Sequence, residues 1–245
     1  IPTELNGKSN LALIRSLIKK TTKKLNKNCC LIILCQVPPG FCEKIDWPKK
    51  KLFYQVETLI FSDAQKRALN PERIIVGKFY QKIDKKYFYY LSKFHCPIVE
   101  MNTQSAELAK ISINLFLISN VTTTNMLSEI SERLGADWRL ISEALRLDRR
   151  IGKFAYLNPG LGISGGNLER DLETIKKFVN FNNYYRNFRD NLKNISNYRR
   201  EWIFNQIQKI YQKNKKIKKV GVCGLAYKEG TNSTKNSPSI FLIKK

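Results

Sequence analysis

The sequence holds a single histidine, His95, and no two cysteines spaced as C-x-x-C. That combination excludes the usual zinc-site spacings, and no metal is expected. Acidic residues are scarce: 20 Asp+Glu stand against 44 Lys+Arg, a formal net charge of +24. Long apolar runs are missing too. The most apolar stretch, C-C-L-I-I-L-C-Q-V at 29–37, is half the length of the roughly 18 residues that span a bilayer. No membrane partner is expected on that ground. The chain does not begin with Met, and I-P-T-E-L-N-G-K has no basic stretch leading into an apolar one, so no signal peptide is read and an internal piece of a longer protein is expected. Cys29, Cys30, Cys35 and Cys223 lie in apolar, strand-like runs, where a buried thiol serves as a small hydrophobe. A reducing cytoplasm fits such usage.

A charge of +24 attracts polyanions. The lysines are scattered, however, and the denser runs at 19–24, 49–51 and 215–219 flank apolar segments as solvated ends do. No helix-turn-helix, RNA-recognition or zinc-finger pattern accompanies them, and nucleic acid is not expected as a partner.

What is present is an α/β pattern giving way to helices. Apolar residues at helical spacing over 9–27 predict a helix. L-I-I-L (31–34) reads as a strand stopped by V-P-P-G (37–40). Residues 53–61 and R-I-I-V-G (73–77) read as further strands, and strands alternating with helices predict a parallel sheet. From Ser105 to Leu134 one long helix is predicted, closed by Gly135. Asp137 then caps a second helix over 138–147. A glycine-rich loop fills 157–166, helices follow at about 168–180 and 194–213, K-K-V-G-V-C-G-L-A-Y (218–227) reads as a strand, and a last helix begins near Ser237.

Five segments carry a resemblance. P-G-L-G-I-S-G-G-N-L-E-R-D (159–171) resembles the loop P-G-x-G-aromatic-G-G-S-C-F-P-K-D of nucleotide-sugar 6-dehydrogenases of the UDP-glucose/GDP-mannose type, without a gap. A-E-L-A-K-I-S-I-N-L-F-L (106–117) is similar to that family's E-L-x-K-x-x-x-N-x-F helix, and L-D-R-R-I-G (147–152) to its D-x-R-I-G segment. G-L-A-Y-K-E-G-T-N-S-T-K-N-S-P-S (224–239) resembles G-L-A-F-K-x-x-T-D-D-x-R-E-S-P-S, and V-P-P-G with N-P-E-R-I-I-V-G (70–77) matches the end of the family's N-terminal domain. The resemblance implies the end of a Rossmann-like NAD-binding domain over 1–103, an all-helical dimerisation domain over 104–213, and the start of a Rossmann-like UDP-binding domain over 214–245. It also implies a homodimer, a UDP-sugar as ligand and a cytoplasmic setting.

Members of that family are NAD-dependent oxidoreductases that convert a sugar C6 alcohol to a carboxylate. A cysteine thiolate adds to the intermediate aldehyde, and water later hydrolyses the thioester; the group must attack and then leave, which suits a thiolate. Here the cysteine position is Asn167, and a carboxamide does neither. By the same resemblance Lys110 and Asn114 would stabilise developing oxyanion charge. Asp171 would orient water or a proton, and Glu57 falls where the family's N-P-E glutamate lies. Arg150, Tyr156, Asn158, Gly160, Gly162 and Lys228 would contact substrate, and Gln36 and Lys235 the cofactor. Further departures accompany Asn167: Gln36 for threonine, Ser164 for glycine, Glu169 for proline, Arg170 for lysine, Asn232 and Ser233 for an acidic pair, and Lys235 for arginine. Lysine lacks the guanidinium fork and is not an equivalent phosphate clamp. No G-x-G-x-x-G is read in the chain; the turn of that pattern that cradles NAD in the family is expected before Ile1. Two readings follow: a family member that is inactive as given, with NAD binding in doubt, or a non-catalytic module that assembles with itself or an active paralogue.

Overall fold

A computed structural model describes residues 7–59, 63–216 and 219–245. The chain divides into two compact units, 1–113 and 114–245, with the boundary inside one long helix.

The first unit is built on a four-stranded sheet. Helix α1 (Leu11–Thr22) starts where Asn10 accepts a hydrogen bond from the Leu13 N–H at 3.0 Å, and it buries Ile14. Strands β1 (Leu31–Ile33), β2 (Leu52–Val56), β3 (Ile74–Lys78) and β4 (Ile98–Asn102) lie side by side in chain order. Alternation across the pleat decides the two cores. Leu52, Tyr54, Val56 and Ile75 face one way, with Ile14, Val37 and Trp47. Phe53, Ile74 and Val76 face the other, with Tyr87 and Leu91. Those last two come from α3 (Lys85–Ser92), whose first turn is capped by Asp84.

The sheet is mixed. β1 and β3 run parallel to β2 and β4 respectively, but β2 and β3 are antiparallel. A parallel crossover needs a helix that covers the sheet. The helix between β2 and β3, α2 (Ala64–Leu69), has six residues and buries none of them. The predicted strand at 53–61 ends at Val56, and its residues 60–61 lie outside the described residues.

Helix α4 (Thr103–Leu134) follows β4 directly. Gly77 permits this: a Cβ there would sit 2.8 Å from the Ala106 Cβ and 2.9 Å from the Thr103 Cα. Nearby, the fully buried carboxylate of Glu107 accepts the N–H groups of Gly40 (2.5 Å) and Cys42 (2.8 Å). It thereby closes the turn after V-P-P-G. Burial pushes the Glu107 carboxyl up, against the pull of these donors.

In the second unit Gly135 ends α4 and Asp137 caps α5 (Trp138–Leu147), accepting the Arg139 N–H at 2.8 Å. The core joins Ile118 on α4, Ile163 in the glycine-rich loop, Leu172 on α6 (Asn167–Ile175) and Leu192 on α7 (Asn183–Lys213). Helix α8 (Pro238–Ile243) begins after Ser237 as expected.

Three expectations change here. Helix α7 starts at Asn183 rather than near 194, because Asn182 accepts the Tyr184 and Tyr185 N–H groups at 2.8 and 3.3 Å. Its first turns carry exposed aromatic rings and so lack the apolar stripe that marks a helix in sequence. Residues 219–227 form no strand; Val220 is exposed and no neighbouring strand is there to pair with among the described residues. Residue 218 lies outside the described residues. Finally, Cys29 and Cys223 are exposed, since neither sits inside a strand, while Cys42 is the buried thiol.

Candidate functional site

The glycine-rich loop is gripped from two helices of the second unit. On α4, Thr124 donates to the Tyr156 carbonyl at 2.8 Å, and Asn125 accepts the Gly160 N–H at 2.7 Å. Both side chains are buried, part of a polar stripe facing the loop. On α7, Arg199 Nε donates to the Gly160 carbonyl at 3.0 Å. Ser196 Oγ accepts the Ile163 N–H at 2.7 Å, and Arg200 Nη2 donates to the Ile163 carbonyl at 2.7 Å. The grip explains Gly162. Its φ is +81°, and a Cβ would run into the Ser196 carbonyl and lie 2.7 Å from the Ser196 hydroxyl.

The segment 224–239 closes over the far end of the loop. Ser164 Oγ donates to the Tyr227 carbonyl at 3.3 Å, and a Cβ on Gly165 would lie 3.0 Å from the Tyr227 ring. The aliphatic end of Lys235 packs against Gly166. Asn236 donates to the Gly165 carbonyl at 2.8 Å and to Glu169, which also accepts from Arg200 at 3.0 Å.

Asn167 is exposed in the first position of α6, directly after Gly166. One turn later, on the same face, Asp171 is 1% exposed. The Asp171 carboxylate accepts from Asn114 Nδ2 and, at 3.3 Å, from Arg170 Nε. The structure therefore brings together Asn114, Asp171 and Arg170 beneath Asn167.

The other residues singled out in the sequence each have their own surroundings. Arg150 turns onto Asp148, with Nε–Oδ1 at 3.0 Å and Nη2–Oδ2 at 2.6 Å, and its side chain is 89% exposed. Tyr156 is exposed, and Asn158 accepts from Arg146 at 3.2 Å. Lys228 is exposed, its ammonium 5.9 Å from the Tyr227 ring centroid. Lys110, Glu57 and Gln36 belong to the first unit and are half-buried there. Lys110 lies one turn before Asn114 on α4, and Glu57 accepts the Leu59 N–H at 2.6 Å.

Sequence reasoning missed Ser196, Arg199, Arg200 and Asn125. A signal existed: small or basic residues fall within one turn of N-I-S-N-Y-R-R on an otherwise amphipathic helix. Nothing in that run says which loop they hold.

Residues 104–198 match the UDP-glucose/GDP-mannose dehydrogenase family, central domain. Over those residues the chain is similar to that family's central domain. It is similar over 99% of its length to the UDP-glucose 6-dehydrogenases of Rickettsia bellii (29% identical, 58% of that protein's length) and of Bacillus subtilis (TuaD; 24%, 54%). It thus spans little more than half the length of the curated relatives it matches. In fold it resembles a UDP-glucose dehydrogenase of Pyrobaculum islandicum (TM-score 0.81, 22% identical, covering 99% of this chain and 59% of the other). It also resembles a UDP-D-ManNAc dehydrogenase of Pyrococcus horikoshii (TM-score 0.81, 19%, covering 99% and 60%).

Family members use NAD, and the residues present can be tested against it. Gly160, Gly162 and Gly165 do fall at G-x-G-x-x-G spacing and lead into α6, which corrects the expectation that no such spacing occurs in the chain. A dinucleotide cradle requires a strand before the turn and free N–H groups on it. Among the described residues the element before this loop is helix α5 and not a strand, and the Gly160 and Ile163 N–H groups are taken by Asn125 and Ser196. The loop is therefore not a dinucleotide cradle.

Proposed function

We propose that this chain is a sugar-nucleotide-binding member of its family that does not carry out the oxidation. The observation that carries this reading is Asn167, exposed at the head of α6 and next to the buried Asn114–Asp171 pair. The surroundings of the reacting carbon are retained while the group that would attack it is a carboxamide. An amide nitrogen, its lone pair delocalised into the carbonyl, adds to no aldehyde and makes no hydrolysable thioester. In this reading the UDP-sugar lies against the 157–166 loop. Tyr156, Asn158 and the Gly160 and Gly162 backbone frame it, and Arg150 and Lys228 supply charge for its phosphates. Asn114 and Asp171 would face the sugar C6, and the compartment would be the cytoplasm.

The test is calorimetry with UDP-glucose at moderate salt, beside an NADH assay. Binding that survives salt, exceeds that of inorganic polyphosphate and yields no NADH supports the reading. NADH formation traceable to the chain overturns the inactivity. A thiol in Asn167→Cys that forms a covalent adduct with the UDP-sugar aldehyde would support a retained pocket.

A second reading, an assembly module, is favoured by a different feature. Met126 and Ile130 on α4, with Ile195 and Tyr198 on α7, line an open cavity of about 310 Å³, and Leu134 continues this face into solvent. An apolar surface of this kind suits a homodimer or a pairing with an active paralogue. A monomeric mass in sedimentation at tens-of-micromolar concentration, on the order of typical weak-dimer thresholds, would count against it.

A further inference from the structure

The turn from α6 into α7 carries a second feature, unrelated to the loop. Phe181 is 79% and Tyr184 83% exposed, and Tyr185 and Phe188 stand out beside them. Large rings this exposed are costly to leave in water, and clustered ones mark a contact surface. Lys176, Lys177 and Arg186 are exposed along the same segment. The acids between 173 and 190 do not offset them. Glu173 is held by Lys193 (2.8 Å) and lies near Arg189, and Asp190 pairs with Arg189. The patch is aromatic and net cationic, on a chain of charge +24.

We propose that this aromatic–basic tip docks the protein on an anionic lipid surface, with Phe181 and Phe188 entering the acyl boundary, Tyr184 and Tyr185 at headgroup level, and the three cations on the phosphates. The physics is that of interfacial anchoring: apolar rings supply burial and basic side chains supply attraction to anionic lipid. The segment is peripheral, in keeping with the absence of any described helix long and apolar enough to cross a membrane. It revises the expectation of no membrane partner, which rested on that absence alone. Two other occupants fit less well. A second copy paired face to face would set Lys176, Lys177 and Arg186 against their own like charges. Single-stranded nucleic acid needs parallel ring faces for stacking, whereas Phe181 and Tyr185 meet edge to face, at 71° and 5.8 Å.

The experiment is co-sedimentation of the chain with vesicles of phosphatidylserine in phosphatidylcholine, and of phosphatidylcholine alone, at moderate salt. Binding to the anionic vesicles only is expected. Phe181→Asp with Tyr184→Asp should reduce it by roughly tenfold or more, and each of Lys176→Gln, Lys177→Gln and Arg186→Gln by about fivefold. An unchanged circular-dichroism spectrum would show that the variants fold. The proposal is overturned if no vesicle binds or if the aspartate variants bind as well as the parent, which would leave only diffuse attraction by the whole charge. It is also overturned if the same variants instead abolish binding of a single-stranded oligonucleotide or lower the sedimenting mass without lipid.

Discussion

Asn236 donates its side-chain amide to Glu169, joining the segment before α8 to the first turn of α6. In the pattern these segments resemble, proline stands at the position of Glu169 and glutamate at that of Asn236. The carboxylate has changed sides, and the new pair still bridges the segments, with Arg200 as a second donor to Glu169 at 3.0 Å. Asn236 also has a φ of +51°, a conformation asparagine tolerates better than most residues. The pair should therefore be coupled. In a double-mutant cycle, Glu169→Ala and Asn236→Ala should fall short of additivity by about 1 kcal/mol in urea unfolding. Strict additivity would mean that the bridge contributes nothing.

The Asn114–Asp171 hydrogen bond lies between two buried side chains on α4 and α6. Asn114→Ala leaves the Asp171 carboxylate with one donor fewer in a water-free site. A loss of about 2–3 kcal/mol is expected, the cost of a buried charged group left short of partners. Equilibrium denaturation measures it. Asn114→Asp should be worse still, setting two carboxylates in contact.

Gly162→Ala should cost at least about 2 kcal/mol, since it combines a positive φ with a collision against Ser196. Gly160→Ala is the control: a Cβ there meets nothing within 4 Å. Thermal melts should separate the two. Equal melting temperatures would mean the grip of α7 on the loop is looser than described.

Acid stability has an origin in the first unit. Asp84 caps α3 and pairs with Lys51 at 2.5 Å. The Lys51 ammonium holds its carboxyl at about 2, below the ordinary 3.8. A depressed carboxyl stabilises the fold above its unfolded value and loses that contribution as pH falls toward its folded one. Stability should thus decline between about pH 4 and pH 2, and Asp84→Asn should flatten that part of the profile. Melts across the range check the sign.

Much of this could be read along the chain because the rules involved act within one turn. Asp137 and Gly135 punctuate the helices through their own backbone neighbours, and apolar spacing alone outlines α4. Asn167 stands out because an ungapped loop pattern surrounds it. Other features follow from residues far apart in sequence. The antiparallel β2–β3 pair depends on α2 being too short to cross the sheet. Arg150 has turned to Asp148, the aspartate of its own D-x-R-I-G segment, although the resemblance assigned it to substrate. Ser196 and Arg199 hold the glycine-rich loop from more than thirty positions downstream. A side chain's partner across such a distance is set by how helices pack, and the residue types on a helix face do not encode which loop will arrive there. The chemistry of position 167 was therefore legible in one letter, whereas the buried support beneath it exists only once α4, α6 and α7 have come together around Ile118 and Leu172.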